Sequence, residues 1–82
     1  MFDYKEAIKS AKFYGRSKGF LPFEPGYKDI CEWIKTLPED YRLRMYSYTV
    51  VKKILPDSPT HDLIIQYYHE TGLVTLGFCH KS

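Results

Sequence analysis

The chain has few cysteines, no long apolar run and no basic leader, and each absence excludes a class of protein. Its two cysteines, Cys31 and Cys79, are fewer than a secreted domain of this size usually needs, so we expect a reducing compartment. The longest stretch without a charged residue, Thr71 to Cys79, has nine residues, whereas a membrane-spanning helix needs about 20. Asp3 and Glu6 stand where a secretion signal needs a basic start and an apolar run. We therefore expect a cytoplasmic protein without a membrane span.

Motifs for catalysis and metal binding are also missing. The chain contains no C-x-x-C, no H-E-x-x-H and no G-x-S-x-G. Cys79 and His80 are adjacent, and neighbouring side chains on an extended segment point to opposite faces, which suits neither two metal ligands nor a nucleophile with its base. The stretch Gly15 to Gly19 superficially suggests a phosphate loop but lacks the required spacing. We expect no enzyme activity, no metal and no cofactor.

The composition indicates a folded chain with an uneven charge distribution. Apolar residues make up 44% of the sequence and aromatic residues 17%, and large rings bury about 150–250 Å² each, so a core can form from few residues. We expect a single domain spanning residues 1–82. The net charge is only +2, yet residues 42–53 carry four basic residues and no acidic one. This basic block is a candidate binding surface.

Two amphipathic helices are predicted in the first half of the chain. The first begins with the capping-box spacing of Asp3 and Glu6 and ends near Gly15. Its polar face is either plain solvated surface or a contact for an acidic partner, and consists of Lys5, Lys9, Lys12 and Arg16. The second helix is predicted from about Tyr27 to Leu37, because apolar residues recur on one face and Pro38 follows.

The connector between these helices, residues 15–26, contains three large apolar residues close together. Phe20, Leu21 and Phe23 lie in a loop that Pro22 and Pro25 keep from becoming regular structure. They either fold onto the core as a lid or are displayed to a partner. The lid is favoured, because exposed apolar patches of that size are uncommon in monomers.

Residues 40–55 are predicted to form a third helix. Their residues 46–51 also have strong β-propensity, but as a strand they would leave charges on both faces. In a helix, Arg44, Tyr48 and Lys52 would stack at i, i+4 and i+8. A phosphate backbone or an acidic groove would favour this mixture of cations and an aromatic ring. The complete candidate surface consists of Arg42, Arg44, Tyr48, Lys52 and Lys53.

The last third of the chain permits two interpretations. Ser58-Pro59 resembles a helix start and Gly72 a helix end, which favours a helix over roughly 59–71 with an extended tail. Residues 63–69 and 73–79 around Glu70-Thr71-Gly72 also have the pattern of a β-hairpin. The predicted fold is therefore mostly α, a compact domain of three to four helices with an extended C-terminal tail. The alternative is α+β with a C-terminal β-hairpin.

The chain as a whole resembles a known phage protein. The start Met1-Phe2-Asp3-Tyr4-Lys5-Glu6-Ala7-Ile8-Lys9, the stretch Tyr27 to Leu37 and the length of 82 residues are similar to the rapid-lysis III protein of T-even bacteriophages. The resemblance implies an accessory factor of lysis inhibition that acts in the host cytoplasm. Such a factor would be antiholin-like and would contact the cytoplasmic segment of the holin. No functional motif transfers site residues to this chain.

These observations predict a non-enzymatic factor that binds a protein partner, with Phe20, Leu21, Phe23 and the basic block as candidate contacts. Self-association is compatible with this prediction. The alternative function is a small winged-helix-like nucleic-acid-binding regulator that uses residues 42–53. Glu39 and Asp40 argue against this alternative, because DNA phosphates would repel carboxylates beside the recognition helix.

Overall fold

The computed structural model describes residues 18–81, which form one antiparallel sheet and one helix. The strands are β1 (Lys18–Phe20), β2 (Glu39–Arg44), β3 (Tyr48–Lys53), β4 (His61–Tyr68) and β5 (Val74–His80), and the helix is α1 (Tyr27–Lys35). The sheet has the order β1-β5-β4-β3-β2, and all four strand pairs are antiparallel. Strands β2 to β5 thus follow one another as neighbours. The segment containing α1 connects the two opposite edges of the sheet.

One face of the sheet is buried against α1, and we call it the inner face. Val51, Ile65 and Leu76 lie directly opposite one another on β3, β4 and β5, and all three are buried. The opposite side, the outer face, carries the alternate residues of the same strands, such as Val50 and Gln66. The core joins the inner face to the helix and consists of Phe20, Ile30, Val51, Leu55, Leu63, Ile65, Val74 and Leu76.

The helix α1 confirms the prediction for residues 27–37, over Tyr27–Lys35. Gly26 precedes it with a φ of 88°, a left-handed conformation that a glycine adopts without strain. Ile30 is fully buried, and Cys31, Trp33 and Ile34 pack around the same core. The apolar period of 3.6 residues therefore corresponds to a real contact with the sheet.

The prediction of a mostly α fold is wrong, and the third predicted helix accounts for part of the error. Residues 40–55 contain most of β2 and all of β3, joined by a turn at Tyr46-Ser47. Charges on both faces are tolerated because β2 is an exposed edge strand. Ion pairs with Asp40 and Glu39 also compensate Lys52 and Lys53.

The predicted helix over 59–71 is also wrong, and the hairpin alternative is present in its place. Strands β4 and β5 pair from His61↔His80 to Tyr67↔Val74. The connecting turn is closed by the Gly72 amide, which donates to the Tyr68 carbonyl at 2.8 Å, and Gly72 has a φ of 73°. Partners on both sides of β4 override the local helix signals.

One further expectation lies outside the described residues, and another is addressed only within them. The first predicted helix and its polar face of Lys5, Lys9, Lys12 and Arg16 lie outside the described residues. Within residues 18–81, no helix has the length and apolar character required to cross a membrane.

The contrast between a buried and an exposed leucine tests this packing. We expect Leu76→Ala to lower the free energy of unfolding by about 2–5 kcal/mol, because Leu76 is fully buried. Leu43→Ala, at a position 53% exposed, should change it by less than about 0.5 kcal/mol. Urea denaturation followed by circular dichroism measures both values. Equal losses in the two variants would contradict the assignment of faces.

Candidate functional site

Three loops meet at one end of the sheet. They comprise residues 21–26 after β1, residues 45–47 between β2 and β3, and residues 69–73 between β4 and β5. They meet because the end of β1 pairs with the start of β5, and the start of β3 pairs with the end of β4. We call these three loops together the loop rim. Loops carried by a rigid scaffold are where binding residues are most often found.

Hydrogen bonds connect the loops to one another. The His69 amide donates to the Ser47 carbonyl at 3.1 Å, and His69 Nε2 lies 2.8 Å from the Thr49 hydroxyl. On the other side, the Tyr27 hydroxyl donates to the Gly72 carbonyl at 2.6 Å. Burial, together with the neighbouring Cys31, raises the pKa of Tyr27. The rim is thus one connected surface.

The first loop holds Phe23 in a fixed turn. The Glu24 amide donates to the Leu21 carbonyl at 2.9 Å, and the Leu21 amide donates back to the Glu24 carboxylate at 2.7 Å. Pro22 occupies the second position of this turn, where its restricted φ is favourable. Phe23 projects from the turn and is 81% exposed. An aromatic side chain on a stiff turn loses little conformational entropy when a partner covers it.

Large apolar side chains are exposed mainly at this end of the described chain. Phe23, Met45 and Tyr46 belong to the rim, and Tyr67 lies just before the third loop. Two more, Tyr41 and Leu43, lie on β2 where it runs toward the second loop. Charge is scarce here, since the rim loops contain only two carboxylates, Glu24 and Glu70. This combination is typical of the buried centre of protein–protein interfaces.

Ion pairs gather away from the rim. Lys52 Nζ lies 3.0 Å from the Asp40 carboxylate. The Glu39 carboxylate lies 3.0 Å from the Arg42 guanidinium and 3.5 Å from Lys53 Nζ. The hydrogen bond with Asp40 raises the pKa of Lys52. Glu39 and Asp40 begin β2, at the end of that strand opposite the rim. The described part of the molecule therefore has an apolar aromatic end and a charged end.

The three apolar residues predicted in the connector have separate roles. Residues 18–20 form the strand β1, so the prediction of irregular structure throughout the connector is wrong there, and Phe20 is buried in the core as a strand residue. Leu21 is half-buried, and its backbone closes the turn described above. Phe23 is displayed to solvent. A buried phenylalanine and a displayed one thus exist side by side.

The basic block does not form one surface. On β2, Arg42 and Arg44 share the inner side with Val51 and Thr49 opposite them, whereas Tyr48 and Lys52 belong to the outer face. The other member, Lys53, is buried on the inner side and donates to the Leu37 carbonyl at 3.4 Å. The predicted stack of Arg44, Tyr48 and Lys52 is therefore wrong, because the turn between β2 and β3 places Arg44 on a different strand and a different face from the other two.

Sequence reasoning missed most of the rim. Met45, Tyr46 and Tyr67 attract no notice in a helical interpretation, where each would occupy an ordinary surface or core position. Assigning 48–53 as a strand would have identified residues 45–47 as a turn, with Tyr46 at its tip. Their position at the same end of the sheet as Phe23 depends on strand order, which no local pattern specifies.

A metal centre has no support within residues 18–81. No group of three or more His, Cys, Asp or Glu side chains in this range is arranged to hold an ion. His61 and His80 lie opposite each other on β4 and β5, with ring centroids 4.4 Å apart. Two imidazoles alone fall short of the four ligands of a structural zinc site.

Comparison of the chain with protein-family models, curated proteins and solved structures gives no match. Function is therefore inferred from the side chains that the rim displays.

The ion pair at the charged end predicts how stability depends on pH. The hydrogen bond from Lys81, at 2.8 Å, lowers the pKa of Asp62 below its ordinary value of 3.8, although burial opposes this. A carboxyl with a lowered folded-state pKa stabilises the fold above its unfolded pKa, and this stabilisation is lost as the pH falls. We expect Asp62→Asn to be less stable than the wild type at pH 7 and less sensitive to pH below 4. Exposed Asp57→Asn is the control, and denaturant titrations between pH 7 and pH 2.5 make the comparison. Parallel pH profiles for the wild type and Asp62→Asn would refute the assignment.

Two glycines with positive φ provide a matched test of the rim. Alanine at Gly26 or Gly72 costs about 1–2 kcal/mol for the left-handed conformation. At Gly72 the new Cβ would also lie 2.9 Å from Pro22 Cγ, whereas at Gly26 nothing lies within 4 Å. Gly72→Ala should therefore lower the melting temperature more than Gly26→Ala does, as measured by calorimetry. The reverse order would mean that the first and third loops are not in contact.

Proposed function

We propose that the chain is a non-enzymatic protein-binding factor and that the loop rim is its contact surface. The supporting observation is the collection of exposed large apolar side chains at one end of the described chain. Aromatic residues and methionine are enriched in interfaces, and charged residues are depleted from their centres. Phe23, Met45 and Tyr46 supply this composition on loops that hydrogen bonds hold in place.

The proposed partner is a protein segment with an apolar surface. The resemblance to the rapid-lysis III protein suggests the cytoplasmic segment of a phage holin, and we propose an antiholin-like role in lysis inhibition on that basis. Fixed aromatic side chains such as Phe23 suit this role, because interface hot spots are enriched in aromatic anchors near the centre of the contact. The chain would then act stoichiometrically, by occupying the partner.

A nucleic-acid partner is less well supported. The winged-helix arrangement needs a second helix over 40–55, and the structure has strands there. Of the four cations in the basic block, Arg42, Lys52 and Lys53 form ion pairs. Arg44 alone among them has no ion pair within residues 18–81. Backbone recognition usually requires several cations that neutralise phosphates together.

Substitutions of Phe23 and Phe20 distinguish an effect on partner binding from an effect on stability. We expect Phe23→Ser to leave the melting temperature close to that of the wild type while weakening partner binding at least about tenfold, or about 1.4 kcal/mol. Phe20→Ser should instead destabilise the fold by about 3 kcal/mol or more, because Phe20 is in the core. Calorimetry measures stability, and titration with a synthetic peptide of a T-even holin's cytoplasmic segment measures binding. Tyr46→Ser, at a fully exposed position, is the second rim variant.

Two results would count against the proposal in different ways. Wild-type affinity in both Phe23→Ser and Tyr46→Ser would exclude the rim as the contact surface. Absence of peptide binding by the wild type would exclude the holin segment. Affinity capture from infected cells, with and without nuclease, then separates the remaining partners. Capture that disappears on nuclease treatment would favour nucleic acid.

A further inference from the structure

The edge strand β2 has hydrogen-bonding groups that its neighbour does not use. The Met45 amide donates to the Tyr48 carbonyl at 2.7 Å, so these two residues form a hydrogen-bonded pair at the hairpin end. Such pairs alternate along an antiparallel ladder, and the registers Leu43↔Val50 and Tyr41↔Lys52 follow in phase. The N–H and C=O groups of Arg42 and Arg44 therefore point away from β3. An added strand would pair at these two residues.

The same two residues carry the net charge of the edge. Asp40 is compensated by Lys52, and Glu39 by Lys53, whose ammonium is buried on the inner side. Arg42 also contacts Glu39, yet 62% of its side chain remains exposed, and Arg44 is exposed as well. Glu39 is shared between Arg42 and Lys53, and Arg44 has no ion pair within residues 18–81, so an excess of positive charge remains at these two arginines on one side of β2. A strand added there meets the least electrostatic cost if acidic residues lie opposite them.

The other side of β2 is apolar. Tyr41 and Leu43 point to the outer face, where both are substantially exposed. Along β2, basic and apolar residues therefore alternate with the period of a strand. An added strand that matched both sides would alternate acidic and apolar residues.

We propose that β2 is a docking edge for an extended partner segment in which acidic residues alternate with apolar ones. The acidic residues pair with Arg42 and Arg44, and the apolar residues cover Tyr41 and Leu43. This inference rests on the proposed protein-binding function and specifies the chemistry of one partner segment. Strand addition of this kind derives affinity from backbone hydrogen bonds and specificity from alternate side chains.

A second copy of this chain fits the edge less well. An antiparallel pair related by a twofold axis through Arg42 would place that residue opposite its own copy, and centring the pair on Leu43 would place Arg42 opposite Arg44. Like charges in directly opposite positions destabilise a sheet. The bulge at Asp40, where the β2–β3 register shifts, adds a further obstacle to regular pairing.

The test uses a blocked peptide, acetyl-Thr-Glu-Val-Glu-Val-Glu-Thr-amide, with the full-length protein. Nuclear magnetic resonance titration should give chemical-shift changes centred on residues 41–44 and slower hydrogen exchange at the amides of Arg42 and Arg44. The double variant Arg42→Glu/Arg44→Glu should bind the peptide at least about tenfold more weakly. Lys28→Glu/Lys35→Glu, which makes the same charge change at exposed positions of α1, should retain wild-type affinity.

Two altered peptides separate the contribution of the acidic side chains from that of the backbone hydrogen bonds. A peptide with Lys in place of each Glu should not bind, and one with N-methyl groups on the three Glu nitrogens should bind much more weakly, because it loses its backbone donors. Equal binding of the N-methylated peptide, shift changes confined to the rim, or no binding of the parent peptide would each overturn the docking edge. Phe23→Ser should bind the parent peptide normally. If the parent peptide does not bind at β2 while the partner still binds through the rim, the docking edge is refuted and the proposed function is unaffected.

Discussion

The burial of one sheet face under α1 determines where every strand side chain lies. Ile30 of the helix is fully buried in one core with Leu63 and Leu76 of the sheet. Because strand side chains alternate with a period of two, a slip of one residue would bring Lys52 or Gln66 into that core. The register is therefore strongly specified. The display of Tyr41 and Leu43 on the opposite side of β2 is a consequence of the same constraint.

Local signals were sufficient for α1 and insufficient for the strands that follow it. Gly26, the repeated apolar positions and Pro38 all lie within a few residues of the helix, so its position could be predicted. On local grounds residues 40–55 favour a helix, because a strand would leave charges on both faces. The decisive contacts are the pairing of Val51 with Ile65 and of Ile65 with Leu76, and these involve distant parts of the chain. Tertiary contacts of this kind routinely override local propensity.

The candidate site could be predicted only in part for the same reason. Phe23 was recognised because three apolar residues in a proline-broken loop are unusual in any fold. Met45, Tyr46 and Tyr67 become part of a site only after chain reversals bring them to the same end of the sheet as Phe23. For the basic block, the sequence predicted one shared surface, but residues that are close in sequence lie on opposite faces of the sheet. Proximity along the chain and proximity in space coincide in a helix much more than in a sheet.

The pairing of β1 with β5 has a consequence for the order of folding. Lys18 lies opposite Leu76, so this pair joins the two ends of the described chain, whereas β2–β3 and β4–β5 are hairpins between neighbours in sequence. Closing a long loop costs more chain entropy than closing a short one, and non-local pairing slows folding. The hairpins are therefore expected to form first. Addition of β1, which carries the core residue Phe20, completes the sheet as a late step, and until then Val74 and Leu76 remain partly accessible to water.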